Sequence, residues 1–290
     1  MTATDFLAAN LEEGAVIVRI AAAEGSTPRE AGATMVVTRG GSAGTIGGGQ
    51  LELHCIDFAR GLLAEGASAS PQLLDIPLGP QMGQCCGGRV RVALALADAV
   101  ALAALRAQEA GARAARPGVM VFGAGHTGLA LARSLALLPM AVTLVDDRAG
   151  LFGDVPAGIA CLRLDDPEAA LAAAPAGTGF VVMTHSHALD YRLTEAALVR
   201  GDAAYVGMIG SATKRARFAA SFRRRHPQSP ALAALTCPIG GSDVHDKRPE
   251  VIAALTAADL VRSLLGSGAA LAGRHAATAP GKRARHVAAA

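Results

Sequence analysis

The sequence predicts an α/β protein in two parts: an N-terminal mixed α/β domain and a C-terminal Rossmann-like, doubly wound parallel sheet. Two observations carry the second part. Uninterrupted apolar runs alternate cleanly with helix-period segments across residues 116–266, the pattern of strands buried on both faces. The glycine run GAGHTG (123–128) follows the first of those strands and opens the first helix. A third observation marks the boundary, because AARPG (114–118) places Pro and Gly after a charged stretch, as a linker does. The chain therefore divides into residues 1–115 and 116–266, and the small, polar, basic, aperiodic segment 267–290 is predicted to be disordered.

In the first part, an amphipathic helix is predicted from Asp5 to Glu13. VIVRIAAAEG (16–25) and ATMVVT (33–38) read as strands on either side of STPREAG, where Pro28 and Gly32 break the period. After GTIGGGQ, the apolar residues Leu51, Ile56, Phe58, Leu62 and Leu63 recur at helical spacing up to Gly66. LLDIPLG and RVRVALAL are two more strands, and an Ala-rich helix runs to about Ala114. In the second part, strands are predicted at VMVF, AVTLVDD (141–147), IACLRL, GFVVMT (179–184) and AAYVGMI (203–209). Helices are predicted over 128–138, PEAALAAA, LDYRLTEAALVR, SATKRARFAASFRRR and PEVIAALTAADLVRSLL.

The composition excludes several classes of function. A chain of 290 residues with 51% hydrophobic residues buries a sizeable core, while 3% aromatics and no Trp are unusual for a nucleic-acid reader that stacks bases on rings. A formal net charge of +3 is too small for a dedicated polyanion binder, so no nucleic-acid partner is expected. Five cysteines, at 55, 85, 86, 161 and 237, do not form the dense even framework of a small secreted domain, which fits a reducing cytoplasm. The N-terminus carries no basic-then-apolar signal pattern, and Arg91 and Asp98 interrupt the apolar runs, so no membrane segment is expected.

Five places carry candidate chemistry. In GAGHTG, Gly123 makes the turn, Gly125 admits a phosphate to backbone N–H groups, and Gly128 lets the helix pack closely; Asp146 and Asp147 end the second strand, where a ribose-binding carboxylate belongs. This turn is expected to hold a nucleotide or a pterin nucleotide. In THSHALD (184–190), His185 and His187 point the same way from an extended segment, as ligand contacts or as metal ligands together with Asp190. In GMIGSATKRARF (207–218), Ser211 is an N-cap candidate, and Lys214 and Arg215 would help hold an anion there. In GTIGGGQLE (44–52), Gly47, Gly48 and Gly49 expose N–H groups to an anion with Arg29 as a further partner, whereas Glu52 would repel a close phosphate. In QMGQCCGGRV (81–90), Cys85 and Cys86 are too close for an easy disulfide, and as thiolates beside Arg89 they suit a soft metal. Each motif alone also has a structural reading, as a cap, a turn or a small buried residue.

Taken together, the motifs resemble one family, the XdhC/CoxI accessory factors of molybdenum hydroxylases, and most closely its xanthine dehydrogenase branch. The blocks are EGSTPREAGATMVV (24–37), GTIGGGQLE, LGPQMGQCCGGRV (78–90), VFGAGHTGLALA (121–132), VDDR (145–148), THSHALD, YVGMIGSATKRARF (205–218), and CPIG with KRPEVIAAL (237–240, 247–255). The run GGSDVHD (240–246) departs from the family pattern, so the resemblance gives it no role. What the resemblance implies is a chaperone without its own turnover. Such proteins transiently bind the molybdenum cofactor (molybdopterin), protect it while a cysteine desulfurase supplies its sulfido ligand, and pass it to the molybdenum-binding subunit of apo xanthine dehydrogenase. On that reading Cys85 and Cys86 lie near molybdenum, and Gly47–Gly49 and Arg29 surround an anion; a homo-oligomer is compatible with it. The residues themselves also allow an NAD(P)-dependent oxidoreductase using Asp146 for ribose and His185 or His187 as acid or base, or a vicinal-thiol redox or soft-metal sensor.

Overall fold

The computed structural model describes residues 2–65, 70–79, 87–241 and 243–266. Its contacts divide the chain into two compact units, Met1–Ala114 and Ala115–Ala290. Each unit has its own sheet.

The first unit begins with α1 (Ala3–Asn10). The Thr2 hydroxyl accepts the Asp5 N–H at 3.1 Å and the Asp5 carboxylate accepts the Thr2 N–H at 3.1 Å, a reciprocal cap that satisfies two otherwise unpaired donors. There follow β1 (Val16–Glu24), β2 (Thr34–Val37), β3 (Ser42–Gly44), α2 (Gly49–Glu65), β4 (Gln72–Pro77), β5 (Arg89–Leu96) and α3 (Ala99–Ala114). The strands form an antiparallel sheet in the order β3-β2-β1-β5-β4. Alternation along β1 sends Val16, Val18 and Ile20 to one face, where Leu51, Cys55, Ala59 and Leu63 of α2 meet them at i, i+4 spacing. The other face is covered by Leu7 of α1 with Leu102 and Leu105 of α3, packed on Val36.

This topology has a direct consequence for function. The carboxyl ends of β1, β3 and β4 and the amino ends of β2 and β5 all lie at one end of the sheet, since Met35 pairs with Gly44, Glu24 with Arg89 and Pro77 with Arg89. The turns between residues 24–34, 44–49 and 77–89 therefore leave from the same end.

The second unit contains β6 (Gly118–Phe122), α4 (His126–Leu135), β7 (Ala141–Asp146), β8 (Ala160–Arg163), α5 (Pro167–Ala173), β9 (Gly179–Val182), α6 (His187–Arg200), β10 (Tyr205–Met208), α7 (Ala212–Arg225), β11 (Leu235–Thr236) and α8 (Pro249–Leu264). The sheet is wholly parallel, in the order β11-β10-β9-β6-β7-β8. From β6 the chain moves outward through β7 and β8, then returns to lay β9 on the other side of β6. That reversal opens a crevice at the carboxyl ends of β6 and β9. Val121, Leu144 and Val181 pack beneath Leu131, Leu135, Ala257 and Leu260 on one face, and Phe122, Phe180, Phe218 and Phe222 fill the other. β3 and β11, of three and two residues, are strands that sequence periodicity does not resolve. Among the described residues no helix is long and apolar enough to cross a membrane.

Candidate functional site

In the first unit, the STPRE turn, the GTIGGG turn and the base of the cysteine loop leave from the shared sheet end. The turn that leads to Cys85 and Cys86 is pinned at its base, where the Leu78 N–H donates to the Gly88 carbonyl at 2.8 Å and the Gly87 N–H to the Leu78 carbonyl at 2.9 Å. Gly88 must be glycine here, because a Cβ would stand 2.2 Å from the Ser26 carbonyl oxygen. Cys85 and Cys86 themselves lie outside the described residues. A Cβ on Gly47 (φ +133°) would stand 2.5 Å from Pro28 Cγ and 3.7 Å from Arg29 Cγ, so STPRE and GTIGGG are in contact. Arg29 is exposed and lines an open concavity of about 510 Å³ formed by Pro28–Ala33.

The geometry narrows the expected anion cradle at Gly47–Gly49. Part of it already holds an anion belonging to the chain itself, since the Glu52 carboxylate accepts the Ile46 N–H at 2.9 Å, the Gly47 N–H at 3.2 Å and the Thr45 hydroxyl. Partial burial works to raise the Glu52 carboxyl. The hydrogen bonds from Thr45 and from the Gly48, Ile46 and Gly47 amides outweigh it and leave the group below the usual carboxylate range. Of the predicted anion partners on this unit, Arg29 remains available.

In the second unit, GAGHTG forms the turn from β6 into α4. Gly123 (φ +115°) and Gly128 are sterically required, because a Cβ would stand 2.2 Å from the Met183 carbonyl oxygen at the first and 1.8 Å from the Gly123 carbonyl oxygen at the second. Gly125 is the N-cap of α4, receives no side-chain cap, and faces open space.

Asp146 does not stand where a ribose reader would. Its side chain is 2% exposed, Oδ2 accepts the Ala124 N–H at 2.7 Å and the Arg148 Nη2 at 2.9 Å, and Oδ1 accepts the Arg148 N–H at 3.0 Å and Nε at 2.9 Å. Burial would raise this carboxyl, but the Arg148 guanidinium and the two amides hold it far below the ordinary range. A carboxylate offers about four lone-pair positions, and all of them are filled from within the protein. The reading of Asp146 as a ribose acceptor is therefore corrected. Sequence reasoning placed VDDR at the strand end without seeing that Arg148, two residues on, closes over Asp146.

The histidines separate. His187 is the first residue of α6 and is exposed, whereas His185 Nδ1 lies 3.6 Å from Asp147 Oδ1 across the crevice. The proposed sharing of a metal with Asp190 fails because Asp190 is buried and committed elsewhere. Its Oδ1 accepts the Thr184 N–H and hydroxyl, each at 2.8 Å, and its Oδ2 accepts the Lys214 ammonium. Lys214 also donates to the Ile209 carbonyl at 2.9 Å. Ser211 acts as the predicted N-cap of α7 and accepts the Lys214 N–H at 3.2 Å, but the Lys214 charge is spent on Asp190 rather than offered to an anion. The Asp190–Lys214 pair, 24 residues apart, ties the turn after β9 to the turn after β10, and no sequence spacing announces it.

Candidate residues are thus found at two sheet ends, one in each unit. Residues 8–76 match the family model described as the XdhC and CoxI family, and residues 119–260 match the model described as the XdhC Rossmann domain. The uncharacterized protein YqeB of Escherichia coli (strain K12) is 25% identical over 264 residues, covering 88% of this chain and 45% of YqeB. The chain thus spans less than half the length of this curated relative. A Bacillus halodurans protein described as a xanthine dehydrogenase is similar in crystal structure, with a TM-score of 0.73 and 18% identity, over 93% of this chain and 98% of that one. That likeness establishes a common fold.

Proposed function

The chain belongs to the XdhC and CoxI family, and on that premise we propose that it is a cytoplasmic maturation factor for xanthine dehydrogenase. It carries the molybdenum cofactor as cargo, protects it during sulfuration by a cysteine desulfurase, delivers it to the apo enzyme, and turns over no substrate of its own. The observation that supports this reading most directly is the common sheet end of the first unit. There the EGSTPRE turn, the GTIGGG turn and the base of the cysteine loop all emerge together.

The fit to such a cargo is uneven, and the unevenness is informative. An exposed Arg29 beside an open concavity suits a terminal phosphate through charge-assisted hydrogen bonds. The glycine nest suits it less, since the Glu52 carboxylate already takes the Ile46 and Gly47 amides and would repel a phosphate. On this reading Arg29 holds the phosphate, Gly47 keeps Pro28 close, and Cys85 and Cys86 supply thiolates beside the soft metal.

The test uses the full chain, purified from cells with intact cofactor synthesis. Near-stoichiometric molybdenum cofactor and activation of apo xanthine dehydrogenase are expected. Arg29→Ala is expected to lower cofactor affinity about 10- to 100-fold, the worth of one charge-assisted contact, and Cys85→Ala or Cys86→Ala to weaken retention or block activation. A wild-type chain that carries no cofactor and activates nothing would overturn the reading.

A further inference from the structure

We propose that the outward face of α7 is a docking surface for a protein with an acidic face, and that this protein is the enzyme to which the cargo is handed. The proposal rests on the carrier reading for the identity of the partner.

Between Asp202 and Asp243 the sequence contains no Asp or Glu, and the cations within that stretch are Lys214, Arg215, Arg217, Arg223, Arg224 and Arg225. All of them lie on α7. Two are neutralised from α6: Lys214 pairs with Asp190, and Arg225 Nη2 stands 2.6 Å from Glu195 Oε2. Glu195 also meets His226 Nε2 at 2.7 Å, and α6 carries no acid besides these two. Arg215, Arg217, Arg223 and Arg224 are exposed and form no ion pair among the described residues.

The stability of the helix does not account for all four. Cations in a last turn complement the helix dipole, which covers Arg223 and Arg224. Arg215 stands near the N-terminus, where the dipole disfavours a cation, and Arg217 in the second turn gains nothing from it. Lys214 at the same end is offset by Asp190, whereas Arg215 and Arg217 have no such partner. Phe218, Ala219 and Phe222 face the core. At 3.6 residues per turn this sends Thr213, Ala216 and Ala220 outward, with Arg217 and Arg224 along one border, about 10 Å apart, and Arg223 along the other. The outward face is a floor of small side chains edged with guanidinium groups.

That make-up selects the partner. The face carries no aromatic ring on which a base would stack and no large apolar side chain that would enter a bilayer. Guanidinium forks match carboxylates at two points, and alanines let a second backbone come close. The complement is the carboxylate-bearing surface of a folded protein. Concentrated exposed charge speeds encounter with such a surface without requiring a long-lived complex. A carrier that must dock, unload and leave needs that combination.

The experiment follows association of the full chain with apo xanthine dehydrogenase by stopped flow, in dilute buffer and in about 0.5 M salt, where exposed charges are screened. Arg217→Glu/Arg224→Glu is compared with Arg60→Glu/Arg113→Glu, an equal change of charge at exposed positions of α2 and α3. In dilute buffer the α7 variant is expected to associate at least about tenfold more slowly than wild type, the control variant less than about threefold, and both differences to vanish in salt. Equal slowing by the two variants, or none by the α7 pair, would overturn the proposal. So would an α7 variant that loses binding to transfer RNA or to phosphatidylglycerol vesicles while its association with the enzyme is intact, since the face would then serve a polyanion or a bilayer. Cofactor content and enzyme activation are scored in parallel. A wild type that carries cofactor and activates the enzyme, with association indifferent to α7, sinks this inference alone. A wild type that carries none and activates nothing sinks the carrier reading, and the partner named here with it.

Discussion

The turn over residues 44–49 and the turn over residues 123–128 both carry the chain from a strand into a helix on glycines, and in both a carboxylate of the same unit accepts loop N–H groups. They differ in where that carboxylate comes from and how deeply it sits. Glu52 belongs to the helix the turn opens, reaches back over five or six residues, and is only partly buried. Asp146 comes from the neighbouring strand 22 residues away, is buried, and is closed over by Arg148. The first arrangement is a local cap, and the second is a tertiary joint. A glycine turn in a sequence therefore announces a set of amides without saying whether they are free. The depth of the nearest carboxylate settles that.

The largest expected effect tests whether the second turn is a joint. Gly128→Ala would put a Cβ 1.8 Å from the Gly123 carbonyl oxygen, inside a backbone-to-backbone contact that no rotamer relieves. We expect a loss of at least about 3 kcal/mol in urea unfolding, against little change for Gly125→Ala, whose Cβ meets nothing within 4 Å. Equal losses at the two positions would dissolve the distinction between them.

An intermediate effect is expected at Asp146. Asp146→Asn should cost about 1–3 kcal/mol at neutral pH, because a buried charge-assisted network is broken. The pH dependence has a definite sign. The folded-state pKa of Asp146 is depressed below the unfolded value of about 3.9. Its contribution is therefore fully present above that value and is lost as pH falls through the folded pKa. The stability gap between wild type and variant should narrow as acid is added below about pH 4. A gap that stays constant would place the stabilisation elsewhere than in the ionised carboxylate.

The smallest effect, and the most discriminating, concerns the first turn. Glu52→Gln should cost only about 1 kcal/mol, the usual worth of a cap. The variant, and not the wild type, should gain thermal stability on replacing chloride with inorganic phosphate, because its amides then face an anion with less competition. Equal stabilisation of both proteins would show that the wild-type nest is already open.

Much of this architecture was legible in the sequence because the strands and helices carry their own periodicity. GAGHTG announced both the turn and the glycines that the structure requires at 123 and 128, and the strand at 141–147 ended at Asp146 within one residue. The candidate sites were legible as motifs and illegible as pairings. Arg148 lies two residues from Asp146, yet nothing in VDDR says that the guanidinium turns back. Asp190 and Lys214 both occupy the first turns of helices that follow adjacent strands, and only the strand order β9-β10 brings them together. Glu52 was recognised as hostile to phosphate, but a carboxylate's own fold-back depends on backbone angles at Gly47, Gly48 and Gly49, all positive, that composition does not encode.

The buried Asp190–Lys214 pair bears on how the second unit fluctuates. The Thr184 amide ends on a carboxylate that is itself held by an ammonium from the next helix. Exposing that amide to solvent breaks a charge-assisted hydrogen bond to a buried, ion-paired carboxylate, an event of higher free energy than ordinary loop fraying. Thr184 should therefore exchange its proton with the slow amides of β9 rather than with surface turns. The segment that follows β9 is thus ordered at its first residue, and little of the conformational entropy of that residue is left to lose.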